Sequence, residues 1–185
     1  YFFIKSSKIL ALIIMINSSI AIVIPVYNVK KFLNETLLSV KKQLSQPDEV
    51  VIIDDGSTDG SSKLLENFNK LRHWKIIRTP NNGLGLTRNY GRSIAQSEYI
   101  YFLDADDIIK NNLILKIREI IHNYNKPDMI LFSGETFSER KLSIKKTNLK
   151  LTINGKFNQK SNLISQLIKK KEALPQAGRY ITKNS

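Results

Sequence analysis

Two carboxylates, Asp104 and Asp106, stand two residues apart where the run Tyr99-Ile100-Tyr101-Phe102-Leu103 ends, and a third, Asp107, follows at once. Residues i and i+2 of an extended segment project to the same side. An apolar strand that runs into Asp-x-Asp therefore sets two acidic side chains together at the rim of a sheet. Like charges held that close repel, and a cation relieves the repulsion. Oxygen-only ligands favour a hard ion, Mg²⁺ or Mn²⁺, over zinc. Such an ion keeps coordination positions for water and for substrate phosphates. A second acidic pair, Asp54-Asp55, closes the apolar run Val50-Val51-Ile52-Ile53 that follows Glu49.

Regularly alternating elements must position these groups. Ile20 to Ile24 reads as a strand stopped by Pro25, continuous in apolar residues as a strand covered on both faces requires. Asn28 is placed to cap a helix from about Lys30 to Leu44, in which Leu33, Leu37, Val40 and Leu44 recur at helical spacing. Glu49 to Ile53 is the next strand. Asp59 can cap a helix with Leu64, Leu65, Phe68 and Leu71 on one face. Trp74 to Arg78 is a third strand, with Trp74 expected in the core. Pro80-Asn81-Asn82-Gly83 marks a loop. Leu86 to Ala95 is a helix, the acidic strand follows, and Asn111 to Tyr124 is another helix. Asp128 to Ser133 is a fifth strand. Further on, Leu151-Thr152-Ile153 suggests a short strand and Ser161 to Lys170 a helix. The order β-α-β-α-β-α-β-α-β predicts an α/β fold, a mostly parallel sheet with helices on both faces. Open α/β sheets bind ligands beyond the carboxyl ends of their strands. Pro25 to Asn28, Asp54-Asp55 and Asp104 to Asp107 all fall at such ends.

The chain has 185 residues, 42% of them hydrophobic, enough for one domain with a sizeable core. It has no cysteine, which excludes a disulfide framework, a thiolate metal site and a cysteine nucleophile. The lack of cysteine also fits a reducing, cytoplasmic compartment. The net charge of +13 is uneven: Glu139 to Ser185 carries twelve Lys or Arg against Glu139 and Glu172. That distribution suits an anionic acceptor, or contact with an anionic membrane at its inner face. It lacks the interleaved aromatics of a base-stacking surface, so no nucleic acid is expected. The apolar run Ile9 to Ile16 is too short to span a bilayer. Residues 1–14 read as a segment upstream of a natural start at Met15.

Four motifs occur in order: Ile22-Val23-Ile24-Pro25-Val26-Tyr27-Asn28, Val51-Ile52-Ile53-Asp54-Asp55-Gly56-Ser57-Thr58-Asp59, Asn82-Gly83-Leu84-Gly85-Leu86-Thr87-Arg88-Asn89 and Tyr99 to Asp107. Together they resemble the signature of family 2 glycosyltransferases with the GT-A, Rossmann-like fold, over about residues 20–133. The resemblance implies a nucleotide-sugar donor, UDP-linked for choice, a divalent cation (Mn²⁺ or Mg²⁺) and an inverting transfer to a polysaccharide or lipid-linked acceptor. By position, Pro25 and Tyr27 fall where the family contacts the nucleoside. Asp55 matches the carboxylate that accepts from the uracil N–H, and Asp54 its neighbour, which contacts ribose or orients the loop. Arg88 matches a basic residue near base or diphosphate. Asp104 matches the contact to ribose or sugar, and Asp106 the metal ligand. The general base, usually a carboxylate beyond the Asp-x-Asp motif, is best matched by Glu135. On this basis residues 1–18 form a non-core tail, 19–135 the donor-binding core and 136–185 a basic, acceptor-side segment. The ending at Gly178 to Ser185 reads as a stop in mid-domain, which leaves an inactive sugar-nucleotide-binding fragment as the main alternative.

Other readings are weaker. Asp55-Gly56-Ser57-Thr58-Asp59-Gly60 with Glu66 fits a calcium-loop pattern, but the β-branched run before it opposes the helix an EF-hand needs. A sugar nucleotidyltransferase would carry a Gly-rich basic loop after the first strand, where this chain has Pro25-Val26-Tyr27-Asn28. A dinucleotide-binding oxidoreductase would need a third glycine that Gly83-Leu84-Gly85 lacks.

Overall fold

A computed structural model describes residues 18–131, 135–136, 145–146 and 180–184. Eight strands and four α-helices run along it: β1 (Ile20–Val26), α1 (Lys30–Lys41), β2 (Glu49–Asp54), α2 (Ser61–Leu65) with a 3-10 turn (Glu66–Phe68), β3 (Trp74–Arg78), α3 (Leu84–Ile94), β4 (Tyr99–Phe102), α4 (Leu113–Asn123), β5 (Met129–Leu131), β6 (Glu135–Thr136), β7 (Lys145–Lys146) and β8 (Tyr180–Lys183). Six strands form one sheet in the order β3-β2-β1-β4-β8-β5. The β1–β2, β1–β4 and β2–β3 pairs are parallel, whereas β8 is antiparallel to both β4 and β5. The fold is therefore α/β with a mostly parallel sheet, as expected.

The continuous apolar runs are explained by two cores, one on each face of the sheet. Ile20, Ile22, Ile24, Val50 and Ile52 point to the side covered by α1, α2 and α4, through Leu33, Leu37, Leu65, Ile114 and Ile117 among others. Ala21, Val23, Val51, Ile53 and Ile100 point to the other side, under Ile94 and Ala95 at the end of α3. Strands buried on both faces cannot alternate apolar with polar. Arg118 anchors α4 to the start of the sheet. It donates to the Ser18 carbonyl at 2.8 Å, the Gln46 carbonyl at 3.1 Å and Asp48 Oδ2 at 2.8 Å. Asp48 Oδ2 in turn accepts from the Ile20 amide at 2.8 Å.

Several boundaries differ from expectation for identifiable reasons. Pro25 does not stop β1; it pairs with Ile53, and Val26 with Asp54. Val23 accepts from the Leu103 amide, so Pro25, two residues on, turns its nitrogen to the same side, just past the last β1–β4 pair, Val23 with Phe102. A missing N–H costs nothing where the neighbouring strand has ended. Helix α1 stops at Lys41 rather than Leu44; the Leu44 amide donates to the Asn111 carbonyl at 2.7 Å and its side chain is exposed. Trp74 is only half-buried and stacks on Phe68 with ring centroids 5.6 Å apart. The fifth strand spans Met129–Leu131. Strand β8, unforeseen, fills the gap between β4 and β5, with Ile181 opposite both Tyr101 and Ile130. The elements expected at 151–153 and 161–170, and the tail 1–17, lie outside the described residues.

Candidate functional site

The carboxyl ends of β1, β2 and β4 are neighbours in the sheet, and this adjacency gathers the segments singled out above. Tyr27, the first residue past β1, is half exposed and has no hydrogen bond among the described residues. Pro25 behind it is buried.

Asp54 and Asp55 end β2 and both turn inward. Asp54 accepts from the Ser57 amide at 3.0 Å and from the Ser62 hydroxyl, and Arg78 Nε lies 3.8 Å away. Of the two roles open to it, orienting the loop is the one its geometry fits. Asp55 Oδ1 accepts from the Asn82 amide at 2.9 Å and Thr79 Oγ1 at 3.3 Å, and Oδ2 from the Gly83 amide at 2.9 Å. It thus clamps the loop that leads into α3. Gly56 follows at φ 77, where a Cβ would come within 3.0 Å of the Asn81 nitrogen. Only glycine suits that turn.

Burial pushes the Asp55 carboxyl up. Hydrogen bonds from Asn82, Thr87, Gly83 and Thr79 outweigh it and hold the group below its ordinary 3.8. Asp59 is likewise lowered: burial raises it, and bonds from Ser61 and Lys30 overcome that. A depressed folded value means stability that is complete above about 3.8 and lost as pH falls through the folded values. The urea midpoint is expected to hold from neutral pH to about 5 and then decline below about 4. Asp55→Asn should lower the midpoint at neutral pH and flatten the acid decline. An equally steep decline in that variant would remove Asp55 as its source.

The Asp-x-Asp segment is not the extended strand end that its sequence suggests. β4 stops at Phe102, and residues 104–107 form a turn in which the Asp107 amide donates to the Asp104 carbonyl at 3.0 Å. Buried Ala105 anchors the turn, its carbonyl accepting from Thr36 Oγ1 on α1 at 2.9 Å. Beneath the turn, burial pushes the Tyr101 hydroxyl up, reinforced by the charges of Asp107 and Asp104, so the phenol stays neutral. Asp104 is ion-paired with Arg88 on α3. Arg88 Nε is buried without a partner among the described residues. Asp106 is exposed, with no hydrogen bond or ion pair among the described residues. These residues hold no group of three or more His, Cys, Asp or Glu placed to bind a metal unaided. A hard ion that takes one or two carboxylates and completes its shell with water and phosphate fits such a donor set.

Glu135 lies in β6, opposite Lys146 of β7, apart from the six-stranded sheet. Its side chain lies outside the described residues. A cavity of about 510 Å³ opens beside the 57–62 loop, lined by Ser57, Thr58, Gly60, Ser62, Lys63, Glu66 and Arg78. It contains none of the predicted ligands. Sequence reasoning missed Ser57 and Ser61, whose hydroxyls accept from the Asn28 and Val29 amides and so bind the two loops after β1 and β2 together, and Ser62, which holds Asp54. The Asp59-x-Ser61 spacing was a signal, since Asp commonly bonds the backbone two residues on.

A family model described as "Glycosyl transferase family 2" matches residues 21–173. Over 173 residues the chain is 30% identical to the glycosyltransferase GlyG of Streptococcus pneumoniae serotype 4, covering 82% of this chain and 56% of that one. The chain spans about half the length of the curated relatives it matches. Among solved structures, S. aureus TarS 1-349 in complex with UDP-GlcNAc aligns with a TM-score of 0.57 at 30% identity, over 61% of this chain and 33% of that one. The mannosyltransferase PcManGT of Pyrobaculum calidifontis, in complex with GDP-Man and Mn²⁺, aligns with a TM-score of 0.52 at 20% identity, over 60% of this chain and 34% of that one. That last likeness concerns the fold alone.

Proposed function

Since the chain belongs to glycosyltransferase family 2, we propose that residues 19–135 bind the donor of an enzyme that moves a sugar from a UDP-linked nucleotide to a polysaccharide or lipid-linked acceptor. The observation that carries this reading is the meeting of Tyr27, Asp55, Arg88, Asp104 and Asp106 around the adjacent ends of β1, β2 and β4. The UDP and UDP-GlcNAc complexes of the TarS relative support the choice of nucleotide.

Tyr27 and Pro25 face the nucleoside, Asp55 and the loop it clamps read the base, and Asp104 meets the ribose or sugar. Arg88, at the same rim, lends positive charge to the diphosphate. Asp106 would hold Mg²⁺ or Mn²⁺, which when bound neutralises charge on the leaving diphosphate. The acceptor oxygen bonds to the anomeric carbon as the bond from that carbon to the phosphate oxygen breaks, on the opposite face, so configuration inverts. The acceptor's proton passes to a carboxylate past Asp107, and Glu135 is the candidate. Residues 136–185, with their excess of Lys and Arg, form the acceptor side and rest against an anionic surface. No helix among the described residues is long and apolar enough to cross a membrane.

Calorimetric titration with a panel of UDP- and GDP-sugars, with Mn²⁺ and then with chelator, tests the reading. Binding of a UDP-sugar that chelator abolishes is the expected result. Binding that ignores chelator would defeat the role given to Asp106, and no nucleotide binding at all would defeat the whole proposal.

A further inference from the structure

Helix α1 begins without a cap of its own. Its first amides need acceptors, and the usual source is a side chain just upstream. Asn28 does not serve, because its backbone is left-handed at φ 51 and its side chain points away from the helix, to the loop after β2. Asparagine is one of the few residues that accepts such a φ readily. The reversal turns three successive amides toward the loop after β2. There the Asn28 amide donates to Ser57 Oγ at 3.1 Å, Val29 to Ser61 Oγ at 3.2 Å and Lys30 to Asp59 Oδ2 at 2.9 Å. In return, Asn28 Oδ1 accepts from the Thr58 amide at 2.8 Å and the Asp59 amide at 3.3 Å.

The first loop is thus capped by the second and the second by the first. The lock lies at the surface, for Asn28, Thr58 and Asp59 are all exposed. Hydrogen bonds that compete with water add little net stability. What they fix is position. Tyr27 is half exposed with no described partner of its own, so its position rests on the backbone of its neighbour Asn28, which is tied to Ser57 of the β2 loop.

Resting on the donor reading above, we propose that Asn28 is a positioning residue that locks the loops after β1 and β2 into one nucleoside-facing wall. The full chain carrying Asn28→Gly keeps the left-handed backbone and loses only the acceptor. It should bind UDP with Mn²⁺ about tenfold more weakly, the equivalent of one to two such bonds. Its melting temperature should stay within about 4 °C of the wild type. The amides of Thr58 and Asp59 should lose protection in hydrogen exchange. Asn28→Asp, which restores an acceptor oxygen, should recover both affinity and protection.

Wild-type affinity in Asn28→Gly, unchanged exchange at Thr58 and Asp59, or an Asn28→Asp as defective as Asn28→Gly would each overturn the proposal. Failure of the wild type itself to bind UDP would instead overturn the donor reading and the nucleoside role with it. The exchange rates, which need no ligand, would still decide whether the lock exists.

Discussion

Asp106→Ala is expected to abolish the Mn²⁺-dependent part of UDP binding while leaving the fold intact. The two halves of that expectation have separate physical grounds. Asp106 is exposed and unpaired among the described residues, so its loss breaks nothing. Surface substitutions of that kind move stability by about 0.5 kcal/mol or less. As the carboxylate of the 104–107 turn with no described partner, it is the proposed ligand for an ion that brings its own phosphates. Removing a group that merely orients a ligand costs about 10–100-fold in metal affinity, so removing the ligand should cost on the order of 100-fold or more. Asp104→Ala provides the contrast. It strips Arg88 of its described acidic partner, and it should weaken UDP binding whether or not metal is present. Titration of both variants with UDP, with Mn²⁺ and with chelator, separates them. Metal-dependent binding at wild-type affinity in Asp106→Ala would refute the assignment.

Gly91→Ala should destabilise the protein even though it improves the helix. Alanine gains about 1 kcal/mol over glycine inside a helix by propensity. Against this, a Cβ at Gly91 would lie 2.4 Å from Val23 Cγ1 and 3.5 Å from Ile53 Cγ1. Val23 is fully buried in a central strand, and a β-branched side chain has few rotamers to escape into. Overpacking of that kind costs about 1–3 kcal/mol, and at an overlap of this size it should win. A net loss near 2 kcal/mol would lower the melting temperature by about 4–8 °C. α3 would also lift from the sheet and carry Arg88 with it, so UDP affinity should fall in parallel. Val23→Ala in the same chain should return part of the stability, which a double-mutant cycle measures. A melting temperature that rises in Gly91→Ala would mean the helix does not approach the sheet as closely as these distances say.

Most of the sheet could be read from the chain because its strands are unusually plain. Ile20 to Ile24 and Val50 to Ile53 are runs with no polar interruption, and only a strand covered on both faces needs that. The acidic ends of β2 and β4 were legible for the same reason, as abrupt changes of character at strand ends. Strand β8 was not. Tyr180 to Lys183 is only four residues long and half polar, and its partners are Tyr99 to Tyr101, about eighty residues earlier, and Met129 to Leu131. Nothing local distinguishes such a segment from a loop.

The candidate site divides in the same way. Residue type and order along the chain determined that Asp54-Asp55 and Asp104 to Asp107 are charged positions at the ends of strands, with Arg88 on the helix between them. They did not determine which carboxylates are spoken for. Asp54 and Asp55 are consumed by serine and backbone donors up to 28 residues away, Asp104 by Arg88, and Asp106 by none among the described residues. Nor could they show that Asn28 serves the loop after β2 rather than its own helix. Those outcomes depend on which loops the parallel strand order brings side by side, and a hydrogen bond across some thirty residues leaves no periodic trace in sequence. The side chains that could do chemistry were therefore visible from the chain, and only the tertiary structure decided which of them remain free to do it.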